Sequence, residues 1–202
     1  MISTREIEIL RFVNEFGFCE IRQIMKQFCI KQSRCYQIMQ SLEKKELVRR
    51  QSIFYGRPGI YRLSRKGASY TDLPALTKIP LAHYGHQLAI VDVCYKLRLL
   101  YPEASWVSER RLIQEKFSEG LGKRGHLSDG MLIFSDQSQV AIEIELAVKA
   151  KTRLQKILRS YNSQFVIKEV WYFCSKAAAS ALTPLVINMP FIKIYSINEF
   201  LK

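Results

Sequence analysis

Hydrophobic residues recur along this chain with two different spacings, and the switches between them mark where helices give way to strands. Near the start, Ile7, Leu10, Phe12 and Val13 predict a helix capped by Ser3 or Thr4 and stopped near Gly17. A second short helix fits Ile21 to Phe28. A third fits about Gln32 to Lys45, where Cys35, Ile38, Met39 and Leu42 form an i, i+3, i+4, i+7 stripe. Leu47-Val48-Arg49-Arg50, a break at Gly56-Arg57-Pro58-Gly59 and Ile60-Tyr61-Arg62-Leu63 then predict a β-hairpin with a glycine- and proline-rich tip. Residues 71–82, with Pro74 and Pro80, read as a linker.

Beyond it, Leu88, Val91, Tyr95 and Leu99 predict a helix from His83 to about Tyr101, closed by Pro102. Trp106 to Ile113 reads as a strand, and Glu115 to Gly125 as a polar loop. Two further strands, Leu127–Phe134 and Val140–Ala147, flank a short turn at Asp136-Gln137-Ser138. A helix from Lys149 to Ser163 buries Leu154, Ile157, Leu158 and Tyr161. A strand at Glu169–Cys174 carries Trp171, Tyr172 and Phe173 into the core, and a β/α segment from Phe191 to Leu201 completes the chain. The pattern is α+β in two domains: 1–70, then 83–202 after the linker.

Charge changes the picture most in the first domain. The chain of 202 residues carries 31 Lys+Arg against 18 Asp+Glu, a net charge of +13, so a polyanion is the expected partner. Residues 1–70 hold 14 basic and 6 acidic groups, and Leu47 to Tyr70 hold six basic residues and no acidic one. On the third helix, Gln32, Arg34, Gln37, Gln40 and Ser41 lie outside the apolar stripe, with side chains suited to base edges and phosphates. With Arg49, Arg50, Arg57, Arg62, Arg65 and Lys66 they form the expected DNA-binding set. The plainer alternative is a protein-contact module whose charges are solvated. Five cysteines without a C-x-x-C pair point to buried free thiols in a reducing compartment. Arg5, Glu6 and Glu8 interrupt any signal-peptide run, and no apolar stretch is long enough to cross a bilayer, so a cytoplasmic protein without a membrane partner is expected.

In the second domain the candidate chemistry is acidic. Alternation over Val140 to Ala147 places Glu143 and Glu145 on one strand face. With a turn centred near Gln137, antiparallel pairing sets Asp129 opposite Glu145 and Met131 opposite Glu143, about 5 to 8 Å apart across the strands. A shared Mg²⁺ or Mn²⁺ would relieve the repulsion, polarise a phosphate and activate a water. A one-residue shift of the turn would send Asp129 to the other face. His126 is a candidate to support a metal ligand or to act as general base, and Glu109 is a candidate fourth carboxylate. His83 and His86 lack a third ligand of suitable spacing, so a capping or buried imidazole is the plainer reading. Lys123 and Arg124, and the helix residues Lys149, Lys151, Arg153, Lys156 and Arg159, are placed to meet a phosphate backbone or simply to be solvated.

Three short helices followed by a basic hairpin resemble the winged helix-turn-helix, with residues 57–67 similar to its second wing strand and exit. That resemblance implies a third helix in the major groove of double-stranded DNA and a wing on the phosphate backbone. The order helix–strand–strand–strand–helix–strand resembles the core of the PD-(D/E)XK nuclease superfamily. There, Asp129 matches the metal-binding Asp of the second strand and Glu143 the acid of the third. Glu145 stands where the family has lysine, and Lys149 follows one turn on. The resemblance implies Asp129, Glu143, Glu145 and Lys149 as the catalytic set and the three acids as metal ligands if the site is active.

The two halves together, with Gly85-His86-Gln87-Leu88-Ala89 opening the linking helix, resemble the replication-relaxation family of plasmids and integrative elements. That implies a DNA-binding accessory or regulatory protein in replication, mobilisation or transcription control, whose nuclease-like domain need not be catalytic. A Mg²⁺-dependent endonuclease aimed by the winged helix is the alternative, and an adaptor bringing partner proteins to DNA is a third reading. A homodimer reading paired half-sites is also compatible with the winged-helix resemblance.

Overall fold

The structure, a computed structural model, describes residues 2–118 and 126–201. It divides into two compact units, Met1–Val91 and Asp92–Lys202.

The first unit opens with α1 (Thr4–Phe16). The Ser3 hydroxyl accepts from the Glu6 N–H at 3.2 Å, and the Glu6 carboxylate accepts from the Ser3 N–H at 2.8 Å, which closes a capping box. Gly17, at φ +80°, ends the helix and donates to Asn14 O. β1 (Cys19–Glu20), α2 (Ile21–Phe28) and α3 (Gln32–Lys44) follow. Cys35, Met39 and Leu42 bury the inner stripe of α3, as their spacing predicts. β2 (Val48–Gln51) and β3 (Ile60–Leu63) form the hairpin, and β1 pairs on the other side of β3. A short α4 (Arg65–Ala68) packs so closely that a Cβ on Gly67 would lie 1.9 Å from Leu47 O, so only glycine fits.

Residues 71–82, read above as a linker, pack against this unit. Asn14, buried in α1, donates to Thr71 Oγ1 at 2.7 Å and to Leu73 O at 2.6 Å. Arg62 Nη1 donates to Leu76 O at 2.8 Å. Ile79 joins Phe18, Ile60, Tyr84 and Leu88 in one apolar cluster. Leu73, Leu76 and Ile79 together with these hydrogen bonds hold the segment down. α5 (Tyr84–Leu100) begins after a 3-10 turn at Leu81–His83.

The second unit is built on β4 (Ser105–Ser108), β5 (Gly130–Ile133), β6 (Gln139–Glu145), β7 (Ile167–Cys174) and β8 (Ile192–Ser196), in that spatial order. β4, β5 and β6 are antiparallel, whereas β6, β7 and β8 run parallel. α7 (Lys151–Asn162) is the crossover between β6 and β7. It lays Leu154, Ile157, Leu158 and Tyr161 on Ala141, Val170 and Tyr172. On the other sheet face, Trp171 contacts the rings of Tyr101 and Tyr195 at 5.3 and 5.8 Å. The chain is therefore a mixed α+β protein with a five-stranded mixed sheet.

Three features differ from what the spacing alone predicts. Residues 109–113 are not strand: the strand stops at Ser108, whose Oγ accepts from the Arg111 N–H at 3.3 Å, and α6 (Glu109–Ser118) begins. Serine at a cap followed by Glu, Arg, Leu and Gln favours helix once the edge strand ends. Second, α8 (Lys176–Leu182), capped by Ser175, was not anticipated; its run of alanines is a helix signal. Third, the β5–β6 register differs by two. Met131 pairs with Ala141 and Gly130 with Ile142. The turn centres on Asp136, because the Phe134 N–H donates to Ser138 O and Asp136 Oδ1 accepts from the Ser138 N–H. Continued by one residue, this register sets Asp129 opposite Glu143 rather than Glu145. The shift is even, so the acids keep a common face.

Candidate functional site

β6 carries Glu143 and Glu145 under α7, where they are 2% and 4% exposed. Two carboxylates inside an apolar layer are unfavourable unless paired, and each has specific partners. His126 Nε2 lies 2.6 Å from Glu143 Oε1, and the Tyr161 hydroxyl donates to the same oxygen from α7. Burial pushes the Glu143 carboxyl above the ordinary carboxylate range; the hydrogen bonds from His126 and Tyr161 oppose this and the Asp129 charge adds to it. Glu145 Oε1 lies 2.6 Å from Lys149 Nζ.

Asp129 sits where β5 begins. Its Oδ2 accepts from the Ile144 N–H at 2.7 Å, so a side chain takes over the ladder where the backbone pairing ends. Its carbonyl accepts from the Glu109 N–H at 3.4 Å. Gly130 fixes this geometry, since a Cβ there would come within 2.2 Å of the Trp106 ring. On β7, Tyr172 and Cys174 stand beside Glu143 and Glu145 in the parallel register. Burial, reinforced by these carboxylates, raises Tyr172, and burial pushes the Cys174 thiol up to about 12. The Tyr172 hydroxyl is buried with no hydrogen-bond partner among the described residues.

The fold thus brings Asp129, Glu143, Glu145, Lys149 and His126 into one region. The acids have the hard oxygen donors that Mg²⁺ or Mn²⁺ prefers. As placed, however, they do not fit such an ion. One oxygen of each is committed to a protein donor, and among the described residues no three His, Cys, Asp or Glu side chains are grouped to hold a metal. His83 and His86, with rings 6.3 Å apart, belong to no such group either. Tyr161 was expected only as part of an apolar stripe. Its hydroxyl was the available signal, because a buried tyrosine facing a strand of acids tends to find one.

In the first unit, Gln32, Arg34, Gln37 and Gln40 are exposed along α3 and Ser41 is half-buried. Arg34 Nη1 donates to Gln37 Oε1 at 3.4 Å. Arg49, Arg50, Arg57, Arg65 and Lys66 are exposed on the hairpin and its exit, whereas Arg62 is half-buried and bound to Leu76 O. Arg50 N donates to Glu43 Oε1 of α3 at 3.2 Å. Lys151, Arg153, Lys156 and Arg159 are exposed on α7. Lys123 and Arg124 lie outside the described residues. No helix among the described residues is long and apolar enough to cross a membrane. Compared with known proteins, the chain matches no protein-family model and no curated protein.

Proposed function

We propose that this protein is a DNA-binding accessory or regulatory protein, of the replication-relaxation kind carried by plasmids and integrative elements. In this reading the first unit is a winged helix-turn-helix and the second a PD-(D/E)XK-like domain that does not cut. One observation carries the DNA reading: α3 exposes Gln32, Arg34, Gln37 and Gln40 on one element while the adjoining hairpin exposes Arg50 and Arg57. That is a polar reading face next to cations for the backbone. The element order, and the crossover from β6 through α7 to β7, support the nuclease-like reading of the second unit.

The endonuclease is the second reading, favoured by the alignment of Asp129 with Glu143 and by Lys149 at Glu145. The non-cutting reading is preferred because Glu145 stands where the family has lysine and because, among the described residues, no three acids or histidines are grouped to hold a metal. The test is full-length protein with supercoiled DNA and Mg²⁺ or Mn²⁺, beside Asp129→Ala and Glu143→Ala. Binding without nicking is expected; nicking abolished by both substitutions would establish the enzyme instead. In the binding assay, Arg34→Ala is expected to relax sequence preference, while Arg57→Ala weakens all sequences alike and lowers the salt slope by about 1. Absence of salt-sensitive duplex binding would overturn the DNA reading.

A further inference from the structure

The β2–β3 hairpin sorts its cations onto two faces. Arg50 pairs with Tyr61, and Arg49 with Arg62. Strand alternation therefore points the two pairs in opposite directions. Tyr61 and Arg50 face α3: Tyr61, raised by burial, feels Arg50, Tyr36 and Glu43. Arg49 and Arg62 stand on the other face, against the segment that carries Leu76 and Thr77. Together with Ser64, Arg65 and Lys66 they line a cavity of about 490 Å³ there.

Two arginines directly opposite each other in the ladder bring like charges together on one face of the sheet. Arg65 and Lys66 add charge to the same cavity. The single lining carboxylate, Glu46, lies 3.6 Å from Lys66, with the two side chains 82% and 59% exposed, a pairing too solvated to offset four cations. Arg62 is anchored through Nη1 to Leu76 O at 2.8 Å, which fixes its guanidinium at the cavity wall. An anion between Arg49 and Arg62 converts their repulsion into shared attraction. The charge count and the planar donor forks match a multivalent oxyanion better than a single carboxylate. The volume lies within the range of small-ligand sites.

We propose that this cavity is a phosphate-binding pocket, distinct from the α3 face, that holds its ligand by phosphate oxygens between Arg49 and Arg62. The phosphate belongs either to a small phosphorylated metabolite or to a nucleic-acid backbone. The proposal does not rest on the DNA reading of α3.

The test titrates full-length protein with inorganic pyrophosphate, by calorimetry and by thermal unfolding. Saturable binding and a raised unfolding midpoint are expected for the parent. Arg49→Ala with Arg65→Ala is expected to weaken binding about tenfold or more. In phosphate-free buffer Arg49→Ala alone should unfold at a higher temperature than the parent, because the repulsion is gone. No saturable binding by the parent, or equal binding by the folded double variant, would overturn the pocket. Competition with a short DNA duplex identifies the source: displacement of pyrophosphate assigns a backbone phosphate, and simultaneous binding a small molecule. Pyrophosphate binding that persists where no form binds duplex would sink the DNA reading alone.

Discussion

His126 Nε2 lies 2.6 Å from Glu143 Oε1, so a histidine outside the sheet holds a carboxylate buried within it. The Tyr161 hydroxyl reaches the same oxygen from α7. Removing that hydroxyl leaves a buried acceptor short of a donor. Tyr161→Phe is expected to cost about 1–3 kcal/mol in urea unfolding. A variant as stable as the parent would mean that the contact contributes nothing.

Burial raises Glu143, so above the ordinary carboxylate value the folded chain keeps a proton that the unfolded chain has released. The stability contribution of this group therefore falls as pH rises from that value through the folded one, and is constant outside the window. The parent midpoint is expected to decline across this window relative to Glu143→Gln, which has no such proton. Parallel profiles of the two proteins would contradict the assignment.

Lys149 and Glu145 are a close pair at the end of β6, with the carboxylate side 6% exposed and the ammonium side 25%. Lys149→Ala removes this cation from beside the buried carboxylate and is expected to cost about 2 kcal/mol. Adding Glu145→Gln should restore much of the loss, and a double-mutant cycle reads the coupling. Additive effects would show that the pair is not coupled.

The two close-approach glycines should respond differently. Gly67→Ala drives a Cβ into the backbone at Leu47, and Gly130→Ala drives one into the Trp106 ring. Each is expected to destabilise by about 1–3 kcal/mol or more. Trp106→Phe should partly rescue Gly130→Ala, because a smaller ring vacates space. No side-chain substitution relieves the Leu47 carbonyl, so Gly67→Ala should stay unrescued.

Of five cysteines, Cys19, Cys35, Cys94 and Cys174 are buried and Cys29 is exposed. Burial holds the Cys35 and Cys174 thiols up to about 11 and about 12, far from thiolate at neutral pH. Brief alkylation of the native protein should add one label, seen by mass spectrometry and lost in Cys29→Ser. Rapid multiple labelling would contradict this burial.

Much of the fold could be read in advance because its signals are local. Ser3, Glu6 and Gly17 bound α1 by their own hydrogen bonds, and the apolar stripe of α7 names the four residues that it buries. The expectations that differ depend on competition between local signals. Ser108 can extend a strand or cap a helix, and the helix prevails where the Ser108 hydroxyl accepts from the Arg111 N–H. The turn between β5 and β6 accepts Asp136 or Gln137 as its centre. Asp136 prevails through its own hydrogen bond to Ser138, which moves every cross-strand partner by two.

The sequence by itself determined which face Glu143 and Glu145 share, because strand alternation is covalent geometry. It also determined the excess of positive charge and the polar face of α3. Only the tertiary structure decided what those groups meet. His126, Tyr161 and Lys149 arrive at the acids from elements far along the chain or beyond a turn, and Arg49 meets Arg62 only because β2 and β3 pair in one register. Burial under α7 turned acids that spacing would leave on a solvent edge into satisfied interior groups. Water withdrawal and cross-strand register are properties of the assembled layers, and no single segment encodes them.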